Sequence, residues 1–226
     1  MMSEPLKKPQ AAPESHSPRE VPEIISMAQE LFSKNTLVDD GGKKNPAFQI
    51  DVFRIAKPLY MIGRAVRVTH GTPECFPAIN ALIAGFDADD VVSAIPNKVS
   101  PIIPFGVGLD HVAQVGDLIE FTYMRGILVR ERPDQLPEGL LCHVVPAGDY
   151  ARNRVRAKNI DEALGIAYIE LDNWLKASEE WESCGNSEYE VFTGSIYNPE
   201  QKRFDQPKWP KRYEMEKWDP VRRKIQ

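Results

Sequence analysis

Cysteine is scarce in this chain of 226 residues: Cys75, Cys142 and Cys184 are the whole complement, odd in number and widely spaced. That excludes a disulfide framework and a cysteine-based zinc site, and it fits a reducing compartment. Basic charge is short as well. Lys and Arg number 28 against 33 Asp and Glu, a formal net charge of −5, so the basic footprint that direct nucleic-acid binding requires is missing. No apolar run approaches the roughly 18 residues of a membrane-spanning helix. The first 30 residues hold no basic segment followed by an apolar core, so no secretory signal is expected and a cytoplasmic location is. The histidines His16, His70, His111 and His143 lack metal-ligand spacing, so no metal is expected. Gly106-Val107-Gly108 lacks the third glycine of a dinucleotide fingerprint, with His111 in its place, so no cofactor is expected either. Cys142 and His143 are neighbours in an extended segment and point to opposite faces, which reads as structural rather than as a nucleophile and its base.

What is present reads as an ordinary globular composition, 42% hydrophobic and 27% charged, long enough for one compact domain with an extension. The extension comes first. Five of the 19 prolines lie in the first 22 residues. A helical stripe of Ile24, Ile25, Ala28, Leu31 and Phe32 then starts at Pro22, and a polar linker with Gly41 and Gly42 follows. Residues 1–47 therefore read as a tail with one short amphipathic helix, and residues 48–226 as the folded domain.

Inside that domain, extended and helical segments alternate, which predicts a mixed α/β or α+β fold. Strands are expected over Leu59–Val68, Ile102–Gly108 and Leu118–Met124, and a helix over Phe76–Ala84 with Ile79, Leu82 and Ile83 inward. Gly139–Val155 reads as a long strand broken at Pro146-Ala147-Gly148. A helix opens after Asn159, a capping residue with Glu162 three positions on. Strands at Tyr189–Thr193 and Tyr213–Trp218, with a polar loop Tyr197–Pro210 between them, complete a strand-helix-strand-strand order twice over.

Charge is concentrated in one place: residues 159–190 hold nine acids and one base. Most of those acids read as a solvated helix face. Glu190 differs because it stands inside a strand, where alternation puts Glu188, Glu190 and Phe192 on one face and Tyr189 and Val191 on the other. With Tyr189 and Val191 packed on the helices, Glu190 would look across the opposite face. A carboxylate among rings is a cation receptor: about 4 kcal/mol of attraction at 4 Å in an effective dielectric near 20, with each ring face adding roughly 0.5 to 2 kcal/mol. Phe105, Tyr123, Tyr150, Tyr168, Trp174, Phe192 and Trp218 are the candidate rings. Each is equally an ordinary core aromatic, so only their convergence would mark a site.

Several short motifs in order carry a family likeness. They are Ile95-Pro96-Asn97 through Phe105-Gly106-Val107, Glu120-Phe121-Thr122-Tyr123-Met124-Arg125-Gly126, Leu136-Pro137-Glu138-Gly139-Leu140, Pro146-Ala147-Gly148-Asp149-Tyr150-Ala151, Ala167-Tyr168 to Trp174-Leu175, and Tyr189-Glu190-Val191-Phe192. With these the chain resembles the GyrI-like small-molecule-binding domains, the effector-binding domains of bacterial multidrug-responsive transcription activators. The resemblance implies two strand-helix-strand-strand units related by a pseudo-twofold. It also implies an α+β fold with a concave antiparallel sheet backed by two helices and a groove for planar, amphipathic, often cationic small molecules. Glu190 matches the family's acidic pocket residue, Tyr123 the aromatic of its F-x-Y strand, Tyr150 the tyrosine of its P-A-G-x-Y segment and Trp174 its helix tryptophan. Phe192 stands where an aromatic hydroxyl is usual. No helix-turn-helix pattern is read ahead of the domain, so a stand-alone sensor or sequestering protein is expected. Two alternatives come with the family. One is a hydrolase of electrophilic cyclopropane-containing compounds, with Glu190 activating water and Tyr123 assisting. The other is a gyrase-inhibitor-like interaction module, with residues 22–34 meeting a protein partner.

Overall fold

The computed structural model describes residues 47–88, 90–205 and 213–225. The tail and amphipathic helix expected before residue 47 lie outside them. The described residues form these elements in chain order: β1 (Ala47–Ile55), β2 (Leu59–His70), α1 (Cys75–Ala88), α2 (Val91–Ala94), β3 (Pro104–Ala113), β4 (Ile119–Val129), β5 (Leu141–Val145), β6 (Gly148–Ala157), α3 (Ile160–Ala177), β7 (Trp181–Ser183), β8 (Glu188–Val191), β9 (Ile196–Asn198), β10 (Arg203–Asp205) and β11 (Tyr213–Arg223). No described helix is long and apolar enough to cross a membrane.

One antiparallel sheet holds the fold together, in the order β1-β6-β11-β8-β3-β4-β2-β5, with β7 beside β11 and a separate β9–β10 hairpin. The order is palindromic about the β8–β3 junction. β3, β4 and β2 on one side answer to β8, β11 and β6 on the other, and β5 and β1 occupy the two ends. Each unit therefore lends its leading strand to the other: β1 pairs with β6, and β5 pairs with β2. The break between β5 and β6 falls at Pro146 and Ala147, as the sequence predicts, because proline has no N–H to donate to a ladder.

The helix predicted after Asn159 is α3. The Asn159 side chain accepts from the Glu162 backbone N–H, and the Glu162 carboxylate accepts from Lys158 N–H, so two otherwise orphaned donors are capped. Ala163, Ala167 and Leu171 bury the stripe against the sheet. α1 departs from expectation. Its fully buried residues are Cys75 and Phe86, whereas Ile79, Leu82 and Ile83 stay half-buried. The segment expected as the polar loop Tyr197–Pro210 contains most of the β9–β10 hairpin, because Tyr197 and Phe204 bury themselves with Phe86, Val92 and Ile127.

Side-chain parity divides the interior. The helices cover the face that carries Ile62, Ile127, Ala151, Val155 and Met215. The main core lies on the other face, where Phe53, Met61, Phe105, Met124, Tyr150, Tyr189, Val191 and Trp218 form one buried group. That group draws on strands from both ends and the centre of the sheet. Only a sheet curled around it brings them into contact, which accounts for the concave form.

Ion pairs extend the helix-free face at one side. Asp51 binds Arg152 at 2.7 Å and also binds Arg154, and the buried Glu216 faces both arginines at 3.8 and 3.9 Å while accepting from the Trp218 indole. Burial alone would raise the Asp51 pKa, but the two guanidinium groups outweigh it and hold the carboxyl below its ordinary value of 3.8. A depressed carboxylate stabilises the fold in full above its ordinary value and loses that contribution as pH falls below it through the lower, folded-state value. Asp51→Ala should therefore cost about 3 kcal/mol in urea denaturation at pH 7, since it takes the nearer acid from two buried cations and leaves them the more distant Glu216. The deficit should shrink as the titration is carried below pH 4.

Candidate functional site

Register builds the site. One row of residues runs across the sheet on its helix-bearing face: Asn153 opposite Lys217, Lys217 opposite Glu190, Glu190 opposite Gly106, Gly106 opposite Arg125, and Arg125 opposite Arg64. The pseudo-twofold passes between Glu190 and Gly106. It makes Arg125 the counterpart of Lys217, and it makes the acid the counterpart of a glycine.

Glu190 is 9% exposed. Tyr123, from β4, donates its hydroxyl to Oε2 at 2.9 Å, and Tyr168, from α3, donates to Oε1 at 2.9 Å. Gly106 makes the first contact feasible. A Cβ there would stand 2.3 Å from the Tyr123 hydroxyl and 2.7 Å from Glu190 Oε2, so any side chain would force the pair apart. Burial pushes the Glu190 pKa up, against the tyrosine hydrogen bonds and the charges of Arg125 and Lys217. Burial, then the neighbouring Glu190 charge, push both tyrosines well above their usual range. Both phenols thus keep their protons and act as fixed donors to the carboxylate.

Two cations flank this pair. Arg125 forms two hydrogen bonds to Asp87 of α1, at 3.2 and 3.4 Å, and lies 4.6 Å from the Phe192 ring centroid. Lys217 lies 4.4 Å from the Tyr168 ring centroid and pairs with Asp219.

Of the residues read from sequence, Glu190, Tyr123 and Tyr168 come together directly, and Phe192 joins them through Arg125. The others do not. Phe105, Tyr150 and Trp218 belong to the main core on the helix-free face, because Phe105 is in register with Val191 and Trp218 with Tyr189, not with Glu190. Tyr150 donates its hydroxyl to the Pro146 carbonyl at 2.8 Å. Trp174 packs with Leu171, Trp181, Ala151 and Val221. It stands six residues after Tyr168, at about 100° per residue, and so faces about a third of a turn away. The side of the sheet is also corrected. Tyr189 and Val191 pack in the helix-free core, and Glu190 points to the helices. His143 lies on the core side, with Nε2 3.1 Å from the Tyr189 hydroxyl.

Lys217, Arg125, Gly106 and Asp87 were not singled out by the sequence as site residues. The Lys217 signal was faint but present: Tyr213, Met215 and Lys217 share one strand face, and a lysine on an otherwise apolar stripe is a buried charge needing partners.

No protein-family model matches the chain, and no curated protein does. Solved structures do share its fold. An integron cassette protein from the mobile metagenome of Vibrio cholerae is 16% identical with a TM-score of 0.52, over 79% of this chain and 99% of that one. The C-terminal domain of EcmrR is 16% identical with a TM-score of 0.50, over 77% and 98%. SAV2435, solved bound to tetraphenylphosphonium, is 12% identical with a TM-score of 0.50, over 77% and 94%. At these identities the likeness is one of fold, and it agrees with the GyrI-like, effector-binding-domain resemblance of the motifs.

Gly106→Ala tests the geometry. The added methyl should destabilise the fold by about 1 to 3 kcal/mol by overpacking and separate Tyr123 from Glu190. Thermal denaturation, together with the carboxylate stretching band in the infrared, checks both effects.

Proposed function

We propose that this chain binds planar amphipathic small molecules, cationic ones among them, in a sensing or sequestering role, with Glu190 as the receptor for charge. The single observation that carries the reading is the buried Glu190 carboxylate held by two tyrosine hydroxyls on the helix-bearing face. A buried ion costs several kcal/mol unless its partners compensate. Such a group persists where a charge must be received, and perturbed carboxylates cluster at functional sites for that reason. The half-buried apolar side chains of Ile79, Leu82 and Ile83 on α1 add accessible apolar surface to the same face of the sheet. The fold shared with the tetraphenylphosphonium-bound SAV2435 and with the EcmrR C-terminal domain supports ligand binding in general. Tyr123, Tyr168 and Phe192 serve as the aromatic surround in this reading. Phe105, Tyr150, Trp218 and Trp174 contribute through packing.

The hydrolase alternative uses the same acid and Tyr123. Both Glu190 oxygens already accept tyrosine hydrogen bonds, an arrangement suited to a held charge more than to a base collecting a proton from water. A protein contact through residues 22–34 remains a separate proposal carried by the sequence alone.

Ethidium is a suitable probe. Glu190→Gln should weaken it about tenfold or more in fluorescence titration, since the substitution keeps shape and removes charge. The pH dependence has a definite sign. The folded-state pKa of Glu190 lies above its ordinary 4.5, so the carboxylate is lost on acidification earlier than for an exposed glutamate. Ethidium affinity should fall as pH drops through that raised value, and the slope should vanish in the glutamine variant. Equal affinity of the two proteins at pH 7 removes the proposed role.

A further inference from the structure

The face that carries Glu190 also carries a lysine almost wholly out of solvent. Lys217 is 2% exposed, stands directly opposite Glu190 in register, and rests its ammonium 4.4 Å from the Tyr168 ring centroid. Tyr168 is the same residue whose hydroxyl donates to Glu190. Asp219 pairs with the ammonium, and a Glu188 oxygen lies 3.9 Å from it. On the other side Arg125 covers Phe192. Two of the ring faces beside Glu190 that would receive a ligand's positive charge are therefore covered by cations of the chain itself.

These two cations are not held alike. Arg125 presents a planar fork to Asp87 through two hydrogen bonds, with Phe192 at 4.6 Å and Phe204 at 5.9 Å; such a group is fixed in orientation. Lys217 carries a compact ammonium on a flexible four-carbon stem. One of its acidic neighbours, Glu188, has a side chain 43% exposed. The ammonium can leave the Tyr168 ring toward Glu188 while keeping Asp219 and so remain compensated, whereas the Arg125 guanidinium is held in place by its two hydrogen bonds to Asp87.

We propose that Lys217 is a specificity-determining residue, a resident cation that covers the Tyr168 ring and competes with the positive charge of any ligand drawn to Glu190. The inference rests on the binding role proposed above for Glu190. A neutral planar molecule meets a carboxylate that is already balanced and gains from apolar contact alone. A cation must first displace the ammonium, so the site takes it only when the ligand's ring contacts exceed what Lys217 gives up. Lys217 thus sets the balance between neutral and cationic ligands of the same shape.

The test pairs ethidium, a planar cation, with Nile red, a planar neutral dye, in fluorescence titrations of the full chain at pH 7. Lys217→Met keeps the stem and removes the charge. It should tighten ethidium about tenfold, the size of one cation–π contact with its share of Coulomb attraction, and move Nile red by less than about twofold. Lys217→Arg keeps a cation over the ring and should bind ethidium no more tightly than the wild type. Lys217→Gln gives a second charge-free side chain if the methionine variant does not fold, as judged by circular dichroism. Equal shifts for both dyes, or unchanged or weaker ethidium binding, overturn the proposal. Glu190→Gln separates the two readings. Loss of ethidium in that variant, with no charge-selective effect at position 217, leaves the receptor role standing and removes only this inference. Binding that ignores Glu190, or no binding of either dye, removes both.

Discussion

A carboxylate cannot be taken out of water without partners, and much of the geometry around the centre of this sheet follows from meeting that demand at Glu190. The donors come from two directions, Tyr123 from the neighbouring unit's strand and Tyr168 from the helix above. Each phenol must be precisely aimed from its own element, so α3 has to sit where its cap and its Ala163, Ala167 and Leu171 stripe put it. Gly106 has to remain without a side chain for the strand-borne tyrosine to reach. Positive charge completes the compensation from both flanks. The result is a polar centre built into the face of the sheet that the helices otherwise cover with apolar packing.

Duplication explains how one fold supplies both a rigid scaffold and a single asymmetric centre. The two halves of the sheet mirror each other strand for strand, yet the residues at equivalent places differ: an acid in one half answers to glycine in the other, and lysine answers to arginine. Each substitution has a physical use. The glycine makes room for the contact that holds the acid. Arginine is pinned to α1 through two hydrogen bonds to Asp87, while the lysine pairs with Asp219 and has a Glu188 oxygen 3.9 Å away. The exchange of leading strands β1 and β5 ties the halves together, so the junction between β8 and β3 is supported from both ends of the sheet.

Much of this is legible in the residues themselves. The α3 helix announces itself through Asn159, Glu162 and its apolar stripe, and the alternation around Glu190 correctly separates it from Tyr189 and Val191. Alternation cannot tell which face the helices cover, however, and here Tyr189 and Val191 fill the helix-free core. The same limit misplaced Phe105, Tyr150 and Trp218. A large aromatic on a strand carries no sign of its face until its partner strand and register are known, and those partners are far off in sequence. The β9–β10 hairpin escaped because Tyr197 and Phe204 sit in an otherwise polar stretch whose burial depends on α2 and β4. The role of Lys217 is hidden in the sequence for a related reason: its neighbours Glu190 and Tyr168 come from other segments of the chain.

The most direct measurement is a crystal structure of the protein with ethidium soaked in. The dye should lie against the Glu190 carboxylate on the helix-bearing face, with the Lys217 ammonium moved off the Tyr168 ring toward Glu188. Dye bound instead among Phe105, Tyr150 and Trp218, or an undisturbed Glu190 with the ligand elsewhere, contradicts the role given to this carboxylate.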